Sequence, residues 1–233
     1  MQENIQVFVK FGGKKDLEQL QKGYVRMGNR DIYENFKVED YEINKKGIKN
    51  ENESTLFKLG NNIKIIDDPD TYYIPIFCLS QFEVNKVSVD RIKFKFTDEQ
   101  IKKIPTAFGD HALIINKSMF IDNFVKNAET KKLMPEHKMV KYSDSIFLKS
   151  PIEELLNSGI LESGKIVIGD IDRDFLDNSF FELPTIHKYQ TEYRFILMNE
   201  RSKDYFYFKI DTIYKYSKLL KVEDLLNSGT IQL

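Results

Sequence analysis

The chain has 233 residues, 41% of them apolar and 13% aromatic, which is enough to bury one sizeable hydrophobic core. The 35 Lys and Arg residues nearly balance the 36 Asp and Glu residues, so the overall field gives no general attraction to nucleic acid or anionic lipid. No segment reaches the roughly 18 apolar residues of a membrane helix, and a single cysteine, Cys78, excludes internal disulfides and multi-cysteine metal sites. We therefore expect a cytoplasmic protein without a membrane span.

The opening residues predict a strand, a helix and a second strand. Apolar and polar residues alternate over 5–11, as in a strand with one better buried face. Residues 14–22 have helical spacing and end at Gly23, a common helix terminator. Residues 24–27 then predict a strand.

The middle of the chain is less strongly patterned. Residues 37–70 are polar and predict turns around a hairpin near 56–66, and the apolar run 72–79 predicts a strand with a bulge or edge at Pro75. Beyond it, the capping-box residues Thr97 and Gln100 predict a short helix.

Helices and strands alternate in the second half. The capping-box helix is expected to end before Pro105, residues 111–115 predict a strand, and Ser118 is the predicted cap of an amphipathic helix. Further strands are predicted at 139–142, 165–168, 189–198 and 205–210, the last two as a hairpin, and a helix is predicted from Pro151. These elements indicate a single α+β domain, residues 1–233, with a mixed, mostly antiparallel sheet and flanking helices.

Metal ligands are not grouped in the sequence. His111, His137 and His187 are scattered and form no pair that would share a helical face. An aspartate-rich segment imitates the start of a calcium loop, but Phe175 and Phe181 stand where that loop needs glycine and glutamate. We therefore expect no metal site.

Two segments are candidates for binding phosphate or nucleic acid. The run 12–15, Gly-Gly-Lys-Lys, offers backbone N–H groups and ammonium groups to a phosphate, or simply makes a tight turn. Tyr205, Tyr207 and Lys209 share one strand face, which with the basic run 126–141 suits single-stranded nucleic acid. A helix half covering the tyrosines is the alternative.

The most specific pattern lies in the segment 189–195. Alternation on a strand projects Gln190, Glu192 and Arg194 on one side of an otherwise aromatic segment. An arginine two residues from a carboxylate holds it ionised, suited to gripping a ribose hydroxyl or orienting a cation. An exposed sheet face carrying charges is the alternative.

The chain resembles a large family of bacterial and phage proteins of unassigned activity. The resemblance rests on short motifs that keep the family's order: Val9-Lys10-Phe11, Leu20-Gln21-Lys22-Gly23, Tyr24-Val25-Arg26-Met27, Asn29-Arg30-Asp31-Ile32-Tyr33, Phe77-Cys78-Leu79-Ser80, Phe108-Gly109-Asp110-His111, Val140-Lys141-Tyr142 and Lys188-Tyr189-Gln190-Thr191-Glu192-Tyr193-Arg194. It implies a cytoplasmic bacterial or phage accessory protein, acting in phage–host conflict by binding a protein partner or a small ligand.

A second resemblance is to ADP-ribosyltransferases. These folds also open with strand, helix and strand, and Gln190-x-Glu192 is similar to their Q-x-E motif. The resemblance implies NAD as cofactor, with Glu192 stabilising an oxocarbenium-like transition state and Gln190 orienting the acceptor. The residues that it suggests for holding the cofactor are Lys10, Gly12, Ser80 and Arg194.

Three functions therefore remain open, and each makes a structural demand. The transferase requires Glu192 in a cleft near Lys10 and Ser80. The nucleic-acid binder requires Tyr205 and Tyr207 exposed beside lysines. A binding module requires an apolar or edge-strand surface without convergent polar groups.

Overall fold

A computed structural model describes residues 4–35, 55–59, 63–66, 73–88, 91–142, 160–162, 165–167, 180–183 and 185–232. These residues form an α+β structure that opens with strand, helix and strand, which confirms the predicted fold class. Within these ranges, no helix has the length and apolar character needed to cross a membrane.

Strands and helices alternate along most of the described chain. The strands are β1 (Asn4–Gly12), β2 (Tyr24–Met27), β3 (Thr55–Leu59), β4 (Ile63–Ile66), β5 (Ile76–Ser88), β6 (Arg91–Phe94), β7 (His111–Asn116), β8 (Pro135–Met139), β9 (Lys141–Tyr142), β10 (Ile160–Glu162), β11 (Lys165–Val167), β12 (Glu182–Leu183), β13 (Glu192–Leu197), β14 (Phe206–Lys209), β15 (Ser217–Lys221) and β16 (Thr230–Gln232). The α-helices are α1 (Lys14–Gln21), α2 (Arg30–Asn35), α3 (Asp98–Ala107), α4 (Lys117–Thr130) and α5 (Val222–Ser228), and 3₁₀ turns occur at Thr185–Gln190 and Tyr214–Tyr216.

The largest sheet of the described residues has eight strands. Its order is β15-β7-β1-β5-β13-β8, with β6 beside β5 and β16 beside β6, and all its pairings are antiparallel. Antiparallel pairs also join β2 to β14, β3 to β4 and β10 to β11, whereas β9 and β12 pair in parallel. The sheets are thus mixed and mostly antiparallel, as predicted.

Both faces of the large sheet are buried, because strand alternation sends side chains to each. On β1, Phe8 points to one face and Val7 and Val9 point to the other. Helices α1 and α4 cover the Phe8 face, whereas α3 and α5 cover the Val9 face. The hydrophobic core therefore has two halves separated by the sheet.

Helix α4 fixes two strands through an aromatic cluster on the Phe8 face. The ring centroid of Phe124 lies 4.7 Å from that of Phe195 on β13 and 5.1 Å from that of Phe208 on β14. Phe120 packs edge-on against Phe195 at 5.5 Å. Such ring pairs add to the free energy gained by burial. The cluster ties the β2/β14 ribbon to the large sheet.

The predicted strand, helix and strand at the start of the chain are confirmed, and Gly23 shows why the helix ends where it does. Gly23 has φ +88°, and a Cβ added there would lie 2.3 Å from the carbonyl oxygen of Ile210. Only glycine fits this left-handed position beside another backbone. The predicted hairpin near 56–66 and the strands at 111–115 and 165–168 are also found.

Two predicted helix boundaries are wrong. The capping box of Thr97 and Gln100 forms, but α3 continues through Pro105 to Ala107. The Ile104 side chain is buried, and its carbonyl oxygen accepts a hydrogen bond from the Phe108 N–H. Helix α4 starts at Lys117, because the side chain of Asn116 rather than Ser118 accepts the hydrogen bond from the N–H of Met119. The capping box therefore forms at its predicted residues, whereas the cap of α4 lies two residues before the predicted one.

The predicted hairpin of 189–198 with 205–210 is wrong. Strand β13 is paired on one edge with β5 and on the other with β8, so no edge is left for β14. Strand β14 pairs with β2 instead. The strand predicted at 72–79 begins after Pro75 and runs on to Ser88. The helix predicted from Pro151 lies outside the described residues.

Candidate functional site

The site is built around an opening between β1 and β5. The two strands pair from Asn4 opposite Asn85 to Val9 opposite Ser80 and then separate. Beyond Val9, β1 follows β7, whereas the start of β5 follows β13. The divergence leaves polar backbone groups of β5 without a β1 partner.

Lys10 fills this opening. Its Nζ donates a hydrogen bond to the Cys78 carbonyl oxygen over 2.7 Å and lies 5.1 Å from the ring centroid of Phe77. The ammonium group therefore takes the place of a missing ladder hydrogen bond. Burial lowers the pKa of Lys10, because the low-dielectric surroundings disfavour the charged form. Lys10 is the one predicted site residue that faces both cavities described next.

A cleft of about 490 Å³ lies between helix α1 and the β2/β14 ribbon, and we call it the α1 cleft. Its charged lining residues are Lys10, Asp16 and Arg26. Its aromatic lining residues are Phe11, Tyr24, Tyr33, Phe77, Tyr205 and Tyr207. The volume falls within the range of small-molecule sites, which are concave, largely apolar and marked by a few polar groups.

Cations stack on rings at the mouth of the α1 cleft. The guanidinium of Arg26 lies 4.7 Å from the Tyr205 ring centroid, and Lys209 Nζ lies 3.8 Å from that of Tyr24. Tyr207 is 68% exposed and pairs with Arg26 across the ribbon. Arg26 also forms a long ion pair with Asp16, at 3.9 Å. The cleft mouth thus carries flat rings and fixed positive charge together.

A second, polar cluster lies on the Val9 face of the sheet. Arg194 Nε donates to Glu192 Oε1 over 2.6 Å, and its Nη1 donates to the carbonyl oxygen of Phe180 over 2.8 Å. Glu192 and Arg194 are only 7% and 3% exposed. The alternative, an exposed sheet face carrying charges, is therefore wrong for these two residues. Strand β13 is flanked on both edges and its whole length is buried.

The electrostatics of the cluster centre on the Glu192 carboxylate. Burial raises the pKa of Glu192, but the charge and hydrogen bond of Arg194, with smaller contributions from Cys78 and Lys10, lower it by more. Burial raises the pKa of the Cys78 thiol well above its ordinary value, and Glu192 raises it further. Burial likewise raises the pKa of Tyr142, whose hydroxyl accepts a hydrogen bond from the backbone N–H of Glu192. Glu192 is thus a buried carboxylate held ionised mainly by Arg194, with a smaller contribution from Lys10.

Four of the predicted residues, Lys10, Ser80, Gln190 and Glu192, line one small cavity of about 60 Å³. The sheet register explains this, because Ser80 lies between Val9 on one neighbouring strand and Glu192 on the other. Gly12 lines the α1 cleft instead. A cavity of this size holds about two water molecules, well below the several hundred Å³ of a cofactor site.

The predicted strand position of Gln190 is wrong. Gln190 ends a 3₁₀ turn, and Thr191 follows with φ +45°, so β13 begins only at Glu192. A β-branched residue in the left-handed region is uncommon and strained. The turn instead brings Gln190 Nε2 to 3.4 Å from Nδ1 of the buried His187, whose pKa burial lowers. The strain lies directly beside the buried carboxylate.

Tyr24 and Arg26 belong to the cleft, although no binding role was predicted for them. The available signal was the alternation Tyr24-x-Arg26, which matches Tyr205-x-Tyr207 in the segment that pairs with it.

Comparison of the chain with protein-family models, curated proteins and solved structures gave no match.

Proposed function

We propose that this protein binds a small, planar, negatively charged ligand of the nucleotide class in the α1 cleft. The observation that carries the proposal is the grouping of Tyr207, the stacked pair of Arg26 and Tyr205, and Lys10 around one cavity of about 490 Å³. Aromatic faces bind a base by stacking. Arginine and lysine bind phosphate through charge-assisted hydrogen bonds.

The walls of the cleft supply both parts of this recognition. Tyr24 and Tyr207 are 51% and 68% exposed, so their rings are accessible from solvent. Lys10 also lines the cleft, where its Nζ, bonded to the Cys78 carbonyl oxygen, is the second cationic group beside Arg26. Asp16, in the first turn of α1, faces Arg26 and disfavours a second anion on that wall. A ligand with one aromatic ring and one phosphate end fits this distribution.

The proposal is tested by the thermal midpoint of the purified protein with and without AMP, ATP and NAD. A ligand at about 100 times its dissociation constant adds roughly 2.7 kcal/mol of apparent stability, which raises the midpoint. The Arg26→Gln and Tyr207→Ser variants are expected to lose that rise. Arg91→Gln and Tyr214→Ser, which alter an exposed arginine and an exposed tyrosine elsewhere, are expected to keep it. An unmoved midpoint with all three nucleotides contradicts the proposal.

NAD-dependent ADP-ribosyl transfer is a second candidate, favoured by the convergence of Lys10, Ser80, Gln190 and Glu192 on one cavity. The Glu192 carboxylate would stabilise positive charge that develops on the ribose carbon. This chemistry requires the cavity of about 60 Å³ to enlarge and Arg194 to release an oxygen of Glu192. The test is release of nicotinamide from NAD. Release by the wild type that Glu192→Gln abolishes while it still binds NAD supports this candidate. Absence of release by the wild type rules this candidate out.

The cellular setting belongs to the same proposal. We infer a cytoplasmic accessory protein, because a chain with one cysteine suits a reducing compartment and the single thiol, Cys78, is partly buried. Immunoblotting of separated cell fractions tests this inference, and recovery in the membrane pellet contradicts it.

A further inference from the structure

The β2/β14 ribbon has one anchored face and one outward face. Val25 and Met27 are fully buried, and Phe208 is 2% exposed within the aromatic core. Alternation therefore directs Arg26 and Tyr207 to solvent. Because the inner face is fixed in the core, the outer face is a preformed surface.

On that surface, rings and cations alternate. Tyr207 lies opposite Arg26 and Lys209 lies opposite Tyr24 in the strand register. Each cation also stacks on a ring, Arg26 on Tyr205 and Lys209 on Tyr24. We call these five residues the aromatic ribbon. It continues directly from the α1 cleft, whose lining includes four of the five.

We propose that the aromatic ribbon binds a short single-stranded nucleic acid, one nucleotide of which occupies the α1 cleft. This inference rests on the proposed function, because it identifies the ligand of the cleft as part of a strand. Tyr207 and Tyr24 stack on successive bases, and Arg26 and Lys209 neutralise the phosphates between them. Stacking of this kind uses the faces of bases, so binding tolerates different sequences.

The charge distribution gives the strand a direction. The net charge of the chain is −1, so attraction to a polyanion has to be local. Asp16 faces Arg26 at the helix side of the cleft, whereas Lys209 stands at the opposite end of the ribbon. The Asp16 carboxylate offsets part of the Arg26 charge, whereas Lys209 adds positive charge at the other end. The strand therefore leaves the cleft along β14 towards Lys209.

Fluorescence anisotropy with labelled oligothymidylate and oligouridylate of one, two, four and eight nucleotides tests the inference. We expect about 10-fold or more tighter binding of the tetranucleotide than of the mononucleotide, because each additional stacked base adds to affinity. Binding should also weaken with salt, by a log–log slope of about 0.7 per phosphate neutralised. Tyr207→Ala should weaken tetranucleotide binding about 10-fold or more, and Tyr214→Ala should leave it unchanged.

The outcomes separate this inference from the proposed function. A tetranucleotide that binds no more tightly than a mononucleotide overturns the inference and leaves the mononucleotide site standing. Failure of every length to bind overturns the inference alone, because the proposed function is tested separately by the thermal midpoint with AMP, ATP and NAD. Equal tetranucleotide affinity in the wild type and in Tyr207→Ala and Lys209→Gln also overturns it, provided that the unfolding midpoints show the variants to be folded. Equal affinity for a duplex of the same length contradicts recognition by base stacking.

Discussion

Arg194 holds the carboxylate of Glu192 at 2.6 Å inside the large sheet, two positions along the same strand. Both side chains are almost completely withdrawn from water. A buried charge is tolerated only while its partner and hydrogen bonds compensate for the lost hydration. The pair is therefore a point at which the stability of the sheet depends on one electrostatic contact.

Removal of Arg194 is expected to destabilise the protein strongly. Arg194→Met leaves the Glu192 carboxylate buried without its counter-charge, which costs about 3–5 kcal/mol of unfolding free energy. The double variant Glu192→Leu with Arg194→Met should lose less than the sum of the two single variants. Urea unfolding of all four proteins measures this coupling, and additive losses would show that the two side chains do not interact.

The stability of the sheet is expected to depend on pH through Glu192. Its pKa in the folded state lies below the ordinary value, so its contribution is fully present above the unfolded pKa of about 4.3. That contribution is lost as the pH falls through the lower, folded-state pKa. The unfolding free energy of the wild type should therefore fall more steeply below about pH 5 than that of Glu192→Gln. Parallel slopes in acid would contradict this assignment.

Thr191→Gly is expected to stabilise the protein. The left-handed conformation at φ +45° disfavours threonine by about 1–2 kcal/mol, whereas glycine adopts it freely. The Thr191 hydroxyl is also buried with no hydrogen-bond partner among the described residues. Glycine loses more backbone entropy on folding than threonine, which offsets part of this stabilisation. We therefore expect a net increase in unfolding free energy of up to about 1 kcal/mol. Thr230→Gly, in β16, is the matched control and should lose about 0.5–1 kcal/mol.

The start of α4 distinguishes two possible caps. Asn116→Ala removes the side-chain oxygen that accepts the N–H of Met119, and we expect a loss of about 1 kcal/mol. Ser118→Ala should change stability by less than about 0.5 kcal/mol, because Ser118 bonds only to the Asn116 side chain among the described contacts. Chemical denaturation measures both, and the reverse order would restore the sequence-based assignment.

Phe124→Ala tests the aromatic cluster that joins α4 to β13 and β14. Phe124 is fully buried, so the substitution should cost about 3–5 kcal/mol through lost burial and the cavity left behind. Met119→Ala alters the exposed side of the same helix and should change stability by about 0.5 kcal/mol or less. A small loss at Phe124 would contradict the position of this helix on the sheet.

Local chemistry made several parts of the fold predictable. The opening strand, helix and strand follow from alternation and from Gly23, and the capping box at Thr97 and Gln100 forms as its spacing predicts. These features depend on neighbours a few residues away. The pairing of β14 with β2 rather than β13 depends on which edges remain unoccupied, a property of the whole sheet.

The residues of the candidate site could be predicted from the sequence, but their burial could not. Lys10, Ser80, Gln190 and Glu192 do meet, because strand register places Ser80 between β1 and β13. The burial of Glu192 could not be predicted from its own segment, because the groups around it come from distant segments: the Tyr142 hydroxyl accepts from the Glu192 N–H, and the Phe180 carbonyl accepts from Arg194. The α1 cleft could not be predicted either, because it forms only when β2 pairs with β14, a strand far away in the sequence.

The opening between β1 and β5 has a consequence for synthesis on the ribosome. Lys10 and Cys78 are 68 positions apart, and β1 also needs β7, which follows later still. Until those segments emerge, β1 lacks both of its strand partners, and contacts between distant segments form slowly. The nascent chain should therefore recruit holding chaperones early, and silent codon changes that delay the exit of β5 should increase aggregation without altering the finished protein.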